Sequence, residues 1–396
     1  MGSVVAHKCA QNPEIFSNIL LASRTFSKCE QIKKTVNEKT GIDIQISKVN
    51  ANKKDELIQL INNYRPDVLV NAALPYQNLT VMDACLETGI HYLDTASSEI
   101  DGEVEIDCFT RQLAYHQKFI NKGITAVLSV GFDPGVTNIF TAYAKKHLFD
   151  EIHYIDIVDC NAGDHGMHFA TNFNAEINLK EFLLPSIYWE NGELKEKPPI
   201  TDPNCTHFTF DYPIVGPQET YLLYHEEVES IAKNIDGIKR VRFWMTFSDK
   251  YLQYLRVLHN VGLTRMDEVT NEGKKIIPIK LLKSLLPDPS TLAKNYTGKT
   301  VIGNIITGIK GGSEKTVFIY NVCDHRECYE EVGSQAISYT TGVPAMIGAK
   351  MLMTGRWQNP GVYNAEQLEP DVFMEKLNIY GLPWKIVDYK KLPDNI

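Results

Sequence analysis

Three features are missing from the sequence, and each absence narrows the class of protein. No apolar run approaches the ~18 residues that a membrane-spanning helix needs, and the short apolar stretch at residues 17–22 lacks the cleavage pattern of a secretory signal. Basic residues are not in excess, because 40 Lys and Arg face 49 Asp and Glu and give a net charge of −9. Nucleic-acid-binding proteins usually carry a basic face. We therefore expect neither a membrane nor a nucleic-acid partner.

A disulfide framework is also missing. The eight cysteines are scattered without paired spacing, which is typical of reduced thiols in a cytoplasmic protein. The densest segment, residues 323–328, contains only three soft metal ligands: Cys323, His325 and Cys328. A closed structural zinc site needs four ligands. The sequence therefore predicts a cytoplasmic protein with no bound metal.

The order of apolar segments predicts two kinds of domain. The length of 396 residues is enough for roughly two to three domains. In the first third, short apolar strands alternate with helices, and this pattern is typical of a parallel sheet with helices on both faces. After about residue 150, antiparallel hairpins appear instead, with predicted turns at Asn191-Gly192 and at Gly311-Gly312. We predict an α/β fold in which a Rossmann-type parallel sheet (residues 1–135) is followed by an α+β domain (136–330). C-terminal helices (331–396) are expected to return to the first domain.

Ligands of parallel α/β sheets bind beyond the carboxyl ends of the strands. The residues at these ends form the predicted cofactor site: Ser23, Arg24, Thr25, Lys28, Asn50, Ala51, Asn71, Ala72, Leu74, Asp94 and Thr95. At the end of the first apolar strand, an acidic residue would suit the ribose hydroxyl of NAD, whereas Arg24 suits the 2′-phosphate of NADP. Gly2 and Ser3 open a predicted helix, and a helix N-terminus binds phosphate through its free amides. The alternative for Gly2 and Ser3 is an ordinary flexible terminus.

A tight turn is predicted at Gly131, Phe132, Asp133, Pro134 and Gly135. Such a turn brings the backbone close to the nicotinamide or to the substrate. The alternative is a plain turn between domains.

Several segments give the chain a family resemblance that covers essentially its whole length. They are S-V-G-F-D-P-G-V-T at 129–137, D-C-N-A-G-D-H-G at 159–166, F-x-x-E-x-N at 173–178, G-P-Q-E-T-Y-L-L-Y-H-E-E at 216–227, R-F-W-M-T-F at 242–247 and S-Y-T-T-G-V-P-A at 338–345. The sequence resembles the saccharopine dehydrogenase-like oxidoreductases, and within them the carboxynorspermidine synthase branch. This resemblance implies a homodimeric enzyme that joins an aldehyde to an amine and reduces the imine with NADPH. The implied substrates are aspartate β-semialdehyde and a diamine, either 1,3-diaminopropane or putrescine. The implied product is a carboxylated precursor in polyamine biosynthesis.

The beginning of the chain departs from the family pattern, in which a strand and a glycine loop precede the first helix. Here the chain begins Met1-Gly2-Ser3. A valine codon, GTG, also serves as a bacterial start codon. We expect that the start codon was assigned at an internal position of the gene, and that the first strand and the glycine loop are therefore missing from this sequence.

The chemistry suggests further residues. Imine formation needs a proton shuttle with a pKa near neutrality, for which Asp164, His165 and His225 are candidates. Arg242 and Lys310 are candidates for the carboxylate of the semialdehyde. The remaining substrate-binding candidates are Glu176 and Glu219 for the amine's distal ammonium group, together with Thr246. For each of these residues the alternative is a structural or solvated role.

Two other functions remain possible from the sequence. One is a saccharopine dehydrogenase or reductase of lysine metabolism. The other is an inactive NADP-fold sensor or scaffold.

Overall fold

A computed structural model describes residues 1–99 and 109–394. The chain divides into two compact units, and each is described by itself. The first unit contains the described residues of Met1–His147, together with Glu330–Gly333 and Ser338–Pro383. The second unit contains Leu148–Tyr329, Ser334–Ile337 and the residues from Trp384 onward.

The helices and strands are numbered in chain order. The helices are α1 (Gly2–Ala10), α2 (Phe26–Thr40), α3 (Lys54–Tyr64), α4 (Asn78–Thr88), α5 (Thr110–Leu113), α6 (His116–Lys122), α7 (Val136–His147), α8 (Ala175–Leu183), α9 (Glu227–Asn234), α10 (Asp249–Asn260), α11 (Pro278–Leu285), α12 (His325–Val332), α13 (Ala336–Met353) and α14 (Asp371–Ile379). The strands are β1 (Leu20–Ser23), β2 (Gln45–Lys48), β3 (Val68–Asn71), β4 (His91–Asp94), β5 (Thr125–Leu128), β6 (Glu151–Asn161), β7 (Ser186–Glu190), β8 (Glu193–Lys197), β9 (His207–Tyr212), β10 (Gly216–Leu223), β11 (Arg240–Thr246), β12 (Val269–Asn271), β13 (Lys274–Ile276), β14 (Lys299–Lys310), β15 (Ser313–Asp324), β16 (Gly361–Asn364) and β17 (Trp384–Asp388).

The first unit has the predicted parallel architecture. β1 pairs with β2, and a second sheet has the order β16-β5-β4-β3, with all neighbours parallel. In the Rossmann strand order 3-2-1-4-5-6, β2 and β1 take the places of strands 3 and 2, and β3, β4 and β5 those of strands 4, 5 and 6. Among the described residues, no strand pairs with the edge of β1 opposite β2 or with the edge of β3 opposite β4.

Local sequence explains how the helices of this unit begin and end. In α3, Leu57 and Ile61 are buried one turn apart, and this spacing places both side chains on one face. Asp55 lies in the first turn of α3, where its negative charge interacts favourably with the positive end of the helix dipole. α4 ends at Gly89, which adopts a left-handed conformation with φ 78°, as glycine does without strain.

The second unit is built on one large sheet. Its strand order is β17-β15-β14-β6-β11-β10-β9, and the hairpin β7-β8 is attached through β7 and β11. Most neighbours are antiparallel, whereas β11 and β6 run parallel. The hairpins with turns at Asn191-Gly192 and Gly311-Gly312 were both predicted from the sequence.

The end of the chain differs from the expectation that residues 331–396 all return to the first domain. α14 and β16 belong to the first unit, but β17 pairs with β15 in the second unit, from Val317↔Asp388 to Asn321↔Trp384. The backbone of β15 offers a free edge, and Trp384–Asp388 satisfies its hydrogen bonds. At the other predicted boundary, α7 follows residue 135 and belongs to the first unit.

No helix in residues 1–99 and 109–394 combines the length and hydrophobicity of a membrane span.

Candidate active site

The end of β1 presents an exposed cation. Ser23 ends the strand, and its hydroxyl accepts a hydrogen bond from the N–H of Thr25 at 3.3 Å. Arg24 and Lys28 follow on the surface, and Arg24 forms no ion pair with any described residue. The guanidinium of Arg24 is therefore available to an anionic ligand at this strand end.

The start of α1 lies beside the end of β3. A Cβ atom on Gly2 would meet the Cβ of Ala72 at 3.9 Å, so nothing crowds the backbone at this helix N-terminus. Gly2 and Ser3 are both half-buried. The predicted contact of a phosphate with Gly2, Ser3 and Ala72 is compatible with this placement.

Asp94 has a different role from the one predicted. Its buried carboxylate accepts hydrogen bonds from the hydroxyl of Tyr92 at 2.8 Å, from Nε2 of Gln112 at 2.7 Å and from the N–H of Ser129. It also accepts one from Nδ2 of Asn78 at 3.2 Å. The carboxylate therefore holds the ends of β4 and β5 together.

Other predicted strand-end residues also serve their own loops. Nδ2 of Asn71 donates to Oδ1 of Asn78 at 2.8 Å, and Oδ1 of Asn50 accepts from the N–H of Asn52 at 3.2 Å. The N–H of Leu74 donates to Oε1 of Gln77 at 3.1 Å. These bonds shape the loops after β2 and β3. Ala51 lies in the first of these loops, and Thr95 follows β4.

The turn at residues 131–135 is as tight as predicted. The N–H of Gly131 donates to the carbonyl of Pro134 at 2.9 Å, and the N–H of Gly135 donates to Oδ1 of Asn138 at 2.9 Å. A Cβ atom on Gly135, where φ is 132°, would lie 2.2 Å from the carbonyl oxygen of Gly131. Only glycine fits there. Phe132 is buried and Asp133 is half-buried.

In the second unit, polar side chains share one face of the central sheet. The register aligns three rows across β6, β14 and β15: Asn161–Thr300–Cys323, Asp159–Ile302–Asn321 and Ile157–Asn304–Ile319. Residues directly opposite each other point to the same face. Asp159, Thr300, Asn304 and Asn321 are buried on this face, which we call the polar face. Buried polar groups in the middle of a sheet are a cost to stability that functional sites commonly retain.

A hydrogen-bonded network continues the polar face beyond the carboxyl end of β6. Nδ2 of Asn161 donates to the hydroxyl of Tyr296 at 2.8 Å, and that hydroxyl donates to Oδ1 of Asn172 at 2.8 Å. Nε2 of His325 donates to Oδ1 of Asn161 at 2.9 Å. The rings of Tyr296 and His325 are stacked, with centroids 3.7 Å apart. Burial lowers the pKa of His325 to about 4 and raises the pKa of Tyr296 to about 12.

Two of the predicted catalytic residues lie beside this network. The ring of His165 stands edge-on to Tyr296, with centroids 5.3 Å apart. Burial lowers the pKa of His165 below its ordinary value, although Asp164 acts in the opposite direction. Asp164 is exposed, and its backbone forms two hydrogen bonds of 3.0 Å with Thr297.

His225 lies over the polar face at another strand. Its ring stacks on Phe243, with centroids 4.2 Å apart, and Phe243 is the register partner of Ile157. Nδ1 of His225 pairs with the carboxylate of Glu227, which is fully buried. The structure thus places both predicted histidines on the second unit, and each has an orienting partner.

The predicted substrate-binding residues differ in whether they contact the hydrogen-bonded network. The hydroxyl of Thr246 accepts a hydrogen bond from the N–H of Asn161 at 3.1 Å, so Thr246 belongs to the network. Glu176 is buried and pairs with Lys283 at 3.0 Å. Glu219 binds the ring of His207 at 3.0 Å on the exposed part of β10.

Arg242 and Lys310 form ion pairs outside the hydrogen-bonded network. Nε of Arg242 donates to Oδ1 of Asp156 at 2.6 Å, and both side chains are buried. Lys310 pairs with Asp150 at 3.0 Å at the turn of the β14-β15 hairpin. This turn is ten residues along β14 from Thr300, or roughly 33 Å at the usual rise of a strand. Neither cation lies beside His165 in this arrangement.

Sequence reasoning missed most of the network. The missed residues are Asp159, Asn161, Tyr296, Asn304, Asn321 and His325. A signal existed only for the first two, because they stand in the segment 159–166 that contributes to the family resemblance. His325 was considered only as a metal ligand. In the part of the chain that the structure describes, no three His, Cys, Asp or Glu side chains cluster as metal ligands.

The first unit fits a nicotinamide dinucleotide. The uncrowded helix N-terminus at Gly2 lies beside the end of β3, and the exposed Arg24 and the glycine turn at 131–135 follow β1 and β5 at their carboxyl ends, where such cofactors bind. Gly2, Arg24 and Gly135 are the residues that would hold it.

The similarity to known proteins extends over nearly the whole chain. The family model for the saccharopine dehydrogenase NADP binding domain matches residues 1–127, and the model for the saccharopine dehydrogenase C-terminal domain matches residues 131–382. The carboxyaminopropylagmatine dehydrogenase of Synechocystis sp. is 52% identical over 384 residues, which cover 97% of this chain and 94% of that protein. The carboxynorspermidine synthase of Vibrio alginolyticus is 44% identical over 395 residues, covering 98% and 94%.

A solved structure supports the same fold. The saccharopine dehydrogenase (L-Glu forming) of Saccharomyces cerevisiae matches with a TM-score of 0.67 over 97% of this chain and 98% of that chain, at 13% identity. The family and the fold class predicted from the sequence are therefore confirmed. The chain belongs to the saccharopine dehydrogenase family and is an oxidoreductase that uses a nicotinamide cofactor and small-molecule substrates.

Proposed function

We propose that this protein joins L-aspartate β-semialdehyde to a primary amine and reduces the imine with NADPH, in a pathway of polyamine synthesis. The observation that carries the proposal is the full-length similarity, at 43–52% identity, to relatives named for carboxylated polyamine products. The names of these relatives differ in the amine part, which is agmatine in one and norspermidine in the others. Either a guanidino-amine or a diamine such as 1,3-diaminopropane or putrescine is thus a candidate.

The proposed division of labour follows the two units. The first unit binds the cofactor, and the second unit, with its polar face, provides polar groups for the aldehyde and the amine. NADPH supplies the hydride when bound. Arg24 supports a preference for NADPH over NADH, because it is an exposed cation at the position where NAD-dependent proteins carry an acid.

The chain's own residues have distinct proposed tasks. In the addition step the amine nitrogen bonds to the aldehyde carbon, and loss of water then gives the imine. His165 and His225 face the substrates from the second unit, and Asp164 shapes the loop that carries His165. Glu176 and Glu219 stay candidates for the distal cation of the amine. The resemblance also supports a homodimer, which light scattering of the purified chain tests.

One assay tests the function. NADPH oxidation is followed at 340 nm with aspartate β-semialdehyde and, in parallel, agmatine, 1,3-diaminopropane or putrescine. We expect oxidation that needs both the aldehyde and one amine. Lysine with 2-oxoglutarate serves as the control for a saccharopine-type enzyme, and turnover with that pair alone would refute the proposal. Cofactor binding without turnover on any pair would instead indicate a sensor or scaffold.

A further inference from the structure

The two ring nitrogens of His165 have different surroundings. Nδ1 accepts a hydrogen bond from the backbone N–H of Met167 at 3.1 Å. A nitrogen that accepts this bond carries no proton, so in the neutral ring the proton is on Nε2. Among the described residues, Nε2 has no hydrogen-bond partner. The ring thus presents an N–H group, and its basic nitrogen is engaged by the backbone.

The loop that carries His165 is held at several points. Oδ1 of Asp164 accepts the N–H of Gly166 at 2.7 Å, and the backbone of Asp164 pairs with Thr297. The N–H of Gly163 donates to Oδ1 of Asn161 at 3.1 Å. A Cβ atom on Gly163 would lie 2.6 Å from Nε2 of His325 and 2.7 Å from the ring of Tyr296. Glycine at this position allows the loop to lie directly against both rings.

His325 is fixed in its neutral form by its own contacts. Nδ1 of His325 accepts the N–H of Ala336 at 3.1 Å, and Nε2 donates to Asn161. Protonation at Nδ1 would break the first bond. His325 is therefore a permanent donor that orients Asn161, which in turn holds the loop of His165 and the hydroxyl of Tyr296.

The charged and titratable groups near His165 favour a neutral ring. On its own loop, the carboxylate of Asp164 is exposed and favours the protonated ring, but its effect is smaller than that of burial. From the elements packed against the loop, the ring meets Tyr296, which is neutral, and His325, which is neutral as well. Apart from Asp164, no group in this set carries a negative charge.

We infer that His165 acts as a neutral hydrogen-bond donor through Nε2 to the oxygen of the aldehyde substrate, with Asn161 and His325 as positioning residues, and that His165 does not shuttle protons. This inference rests on the proposed function. In the addition step the C–N bond forms and the C=O double bond becomes a single C–O bond. The proton that the amine nitrogen loses reaches that oxygen through solvent water. His165 keeps its own proton and stabilises the charge that develops on the oxygen.

The first test needs no substrate. In the full chain labelled with 15N-histidine, long-range 1H–15N spectra report the tautomer of each ring, and His165→Gln assigns the signals. We expect His165 to be neutral with the proton on Nε2 above pH 6.5. A proton on Nδ1, or a protonated ring at neutral pH, would overturn the inference.

The second test uses activity. Gln places an amide N–H near the position of Nε2 and does not titrate. We expect His165→Gln to keep kcat within about tenfold of the original with the same pH profile, and His165→Ala to lose on the order of 10²–10³ in kcat. Equal losses in the two variants, together with disappearance of a limb of the pH profile, would identify a proton shuttle and contradict the inference.

A third variant tests the positioning residues. In His325→Ala we expect the His165 spectrum to show both tautomers, and His325→Gln to restore the single tautomer by donating to Asn161. An unchanged His165 spectrum in His325→Ala would remove His325 from the assignment. If the tautomer is as expected but no substrate pair turns over, the proposed function fails while the assignment of the ring stands.

Discussion

Nε2 of His325 donates to Oδ1 of Asn161 at 2.9 Å, although Asn161 ends β6 and His325 begins α12, 164 residues further along the chain. The bond connects the end of β6 to the start of α12. It is possible because β14 lies between β6 and β15 and brings Asn161 and Cys323 to opposite sides of Thr300. Through this bond a buried histidine at the start of a helix stabilises the loop that carries a candidate catalytic residue.

The buried His325 predicts a pH dependence of stability. Its pKa is lowered to about 4 in the folded chain, whereas in the unfolded chain a histidine has a pKa of about 6.5. Between these values the unfolded state binds more protons, so stability falls as the pH drops from about 6.5 to about 4. The expected loss is on the order of 3 kcal/mol. Urea unfolding at several pH values from 8 to 4 measures it.

The matched variant for this prediction is His325→Gln. Glutamine keeps a donor for Asn161 and does not titrate, so the pH slope should become shallower by the contribution of His325. Burial also lowers the pKa values of His7 and His91. These two residues contribute equally to the pH dependence of stability in both proteins. An identical slope in the two proteins would mean that the pKa of His325 is the same in the folded and the unfolded chain, against the structure.

The ion pair of Arg242 and Asp156 predicts a structural role for an arginine that the sequence suggested as a substrate ligand. Both side chains are almost fully buried, and Nε1 of Trp244 also donates to Asp156 at 3.0 Å. Arg242→Met removes the nearer of two buried cations from Asp156, since Arg240 also lies 3.7 Å from this carboxylate. The loss should be about 3 kcal/mol. Denaturant unfolding measures this loss.

The double variant Arg242→Met with Asp156→Leu distinguishes the structural role from substrate binding. Removing both charges should restore part of the stability, because apolar pairs can replace a buried ion pair with little loss. Arg240 loses its contact with Asp156 in this variant but keeps its ion pair with Asp394 at 2.6 Å. The KM for aspartate β-semialdehyde should then stay within about threefold of the original, since a lost charged hydrogen bond would raise it by tenfold or more. A large rise in KM in the stable double variant would indicate that Arg242 binds the substrate after all.

Patterns confined to short segments predicted much of the fold. The alternation of β1 to β5 with helices and the two glycine turns, at Asn191-Gly192 and Gly311-Gly312, each depend on neighbouring residues. The strand with which Trp384–Asp388 pairs was not predictable from such local patterns. Its pairing with β15 depends on which sheet edge remains free after the rest of the chain has folded.

The candidate site was predicted only in part for the same reason. His165 and His225 stood out because the ordinary pKa of histidine lies near neutrality, as proton transfer requires. Asp159, Asn304 and Asn321 became a group only through the register of three strands, and register depends on long-range pairing. Arg242 was assigned to a substrate because its partner Asp156 lies on another strand. The sequence around either residue does not indicate that the two form an ion pair.

Arg24 gives a prediction about the cofactor. Replacing it with alanine removes a cation that the structure leaves exposed at the end of β1. We expect the KM for NADPH to rise by about tenfold or more and the KM for NADH to change little, because only NADPH carries the 2′-phosphate. Initial rates with each cofactor measure the effect.

Lys34→Ala is the control for Arg24→Ala. Lys34 is an exposed cation on α2 of the same unit, and its side chain is 76% exposed. Removing it changes the net charge equally and should leave both KM values unchanged. Equal effects of the two substitutions would indicate general electrostatic attraction of NADPH, and Arg24 would then have no specific role.

Gly135 gives the last prediction. Alanine at this position adopts an unfavourable φ of 132° and places its Cβ against the backbone of Gly131, so the turn at 131–135 must shift. We expect a loss of stability of about 1–3 kcal/mol from the backbone strain alone and a weaker affinity for the nicotinamide cofactor. Gly41→Ala is the matched control, because Gly41 has φ 74° but no atom within 4 Å of its would-be Cβ. It should lose only about 1 kcal/mol and bind the cofactor normally. Unfolding curves and cofactor titrations of both variants measure these effects. Normal cofactor affinity in Gly135→Ala would mean that the turn has no part in the cofactor site and only connects β5 to α7.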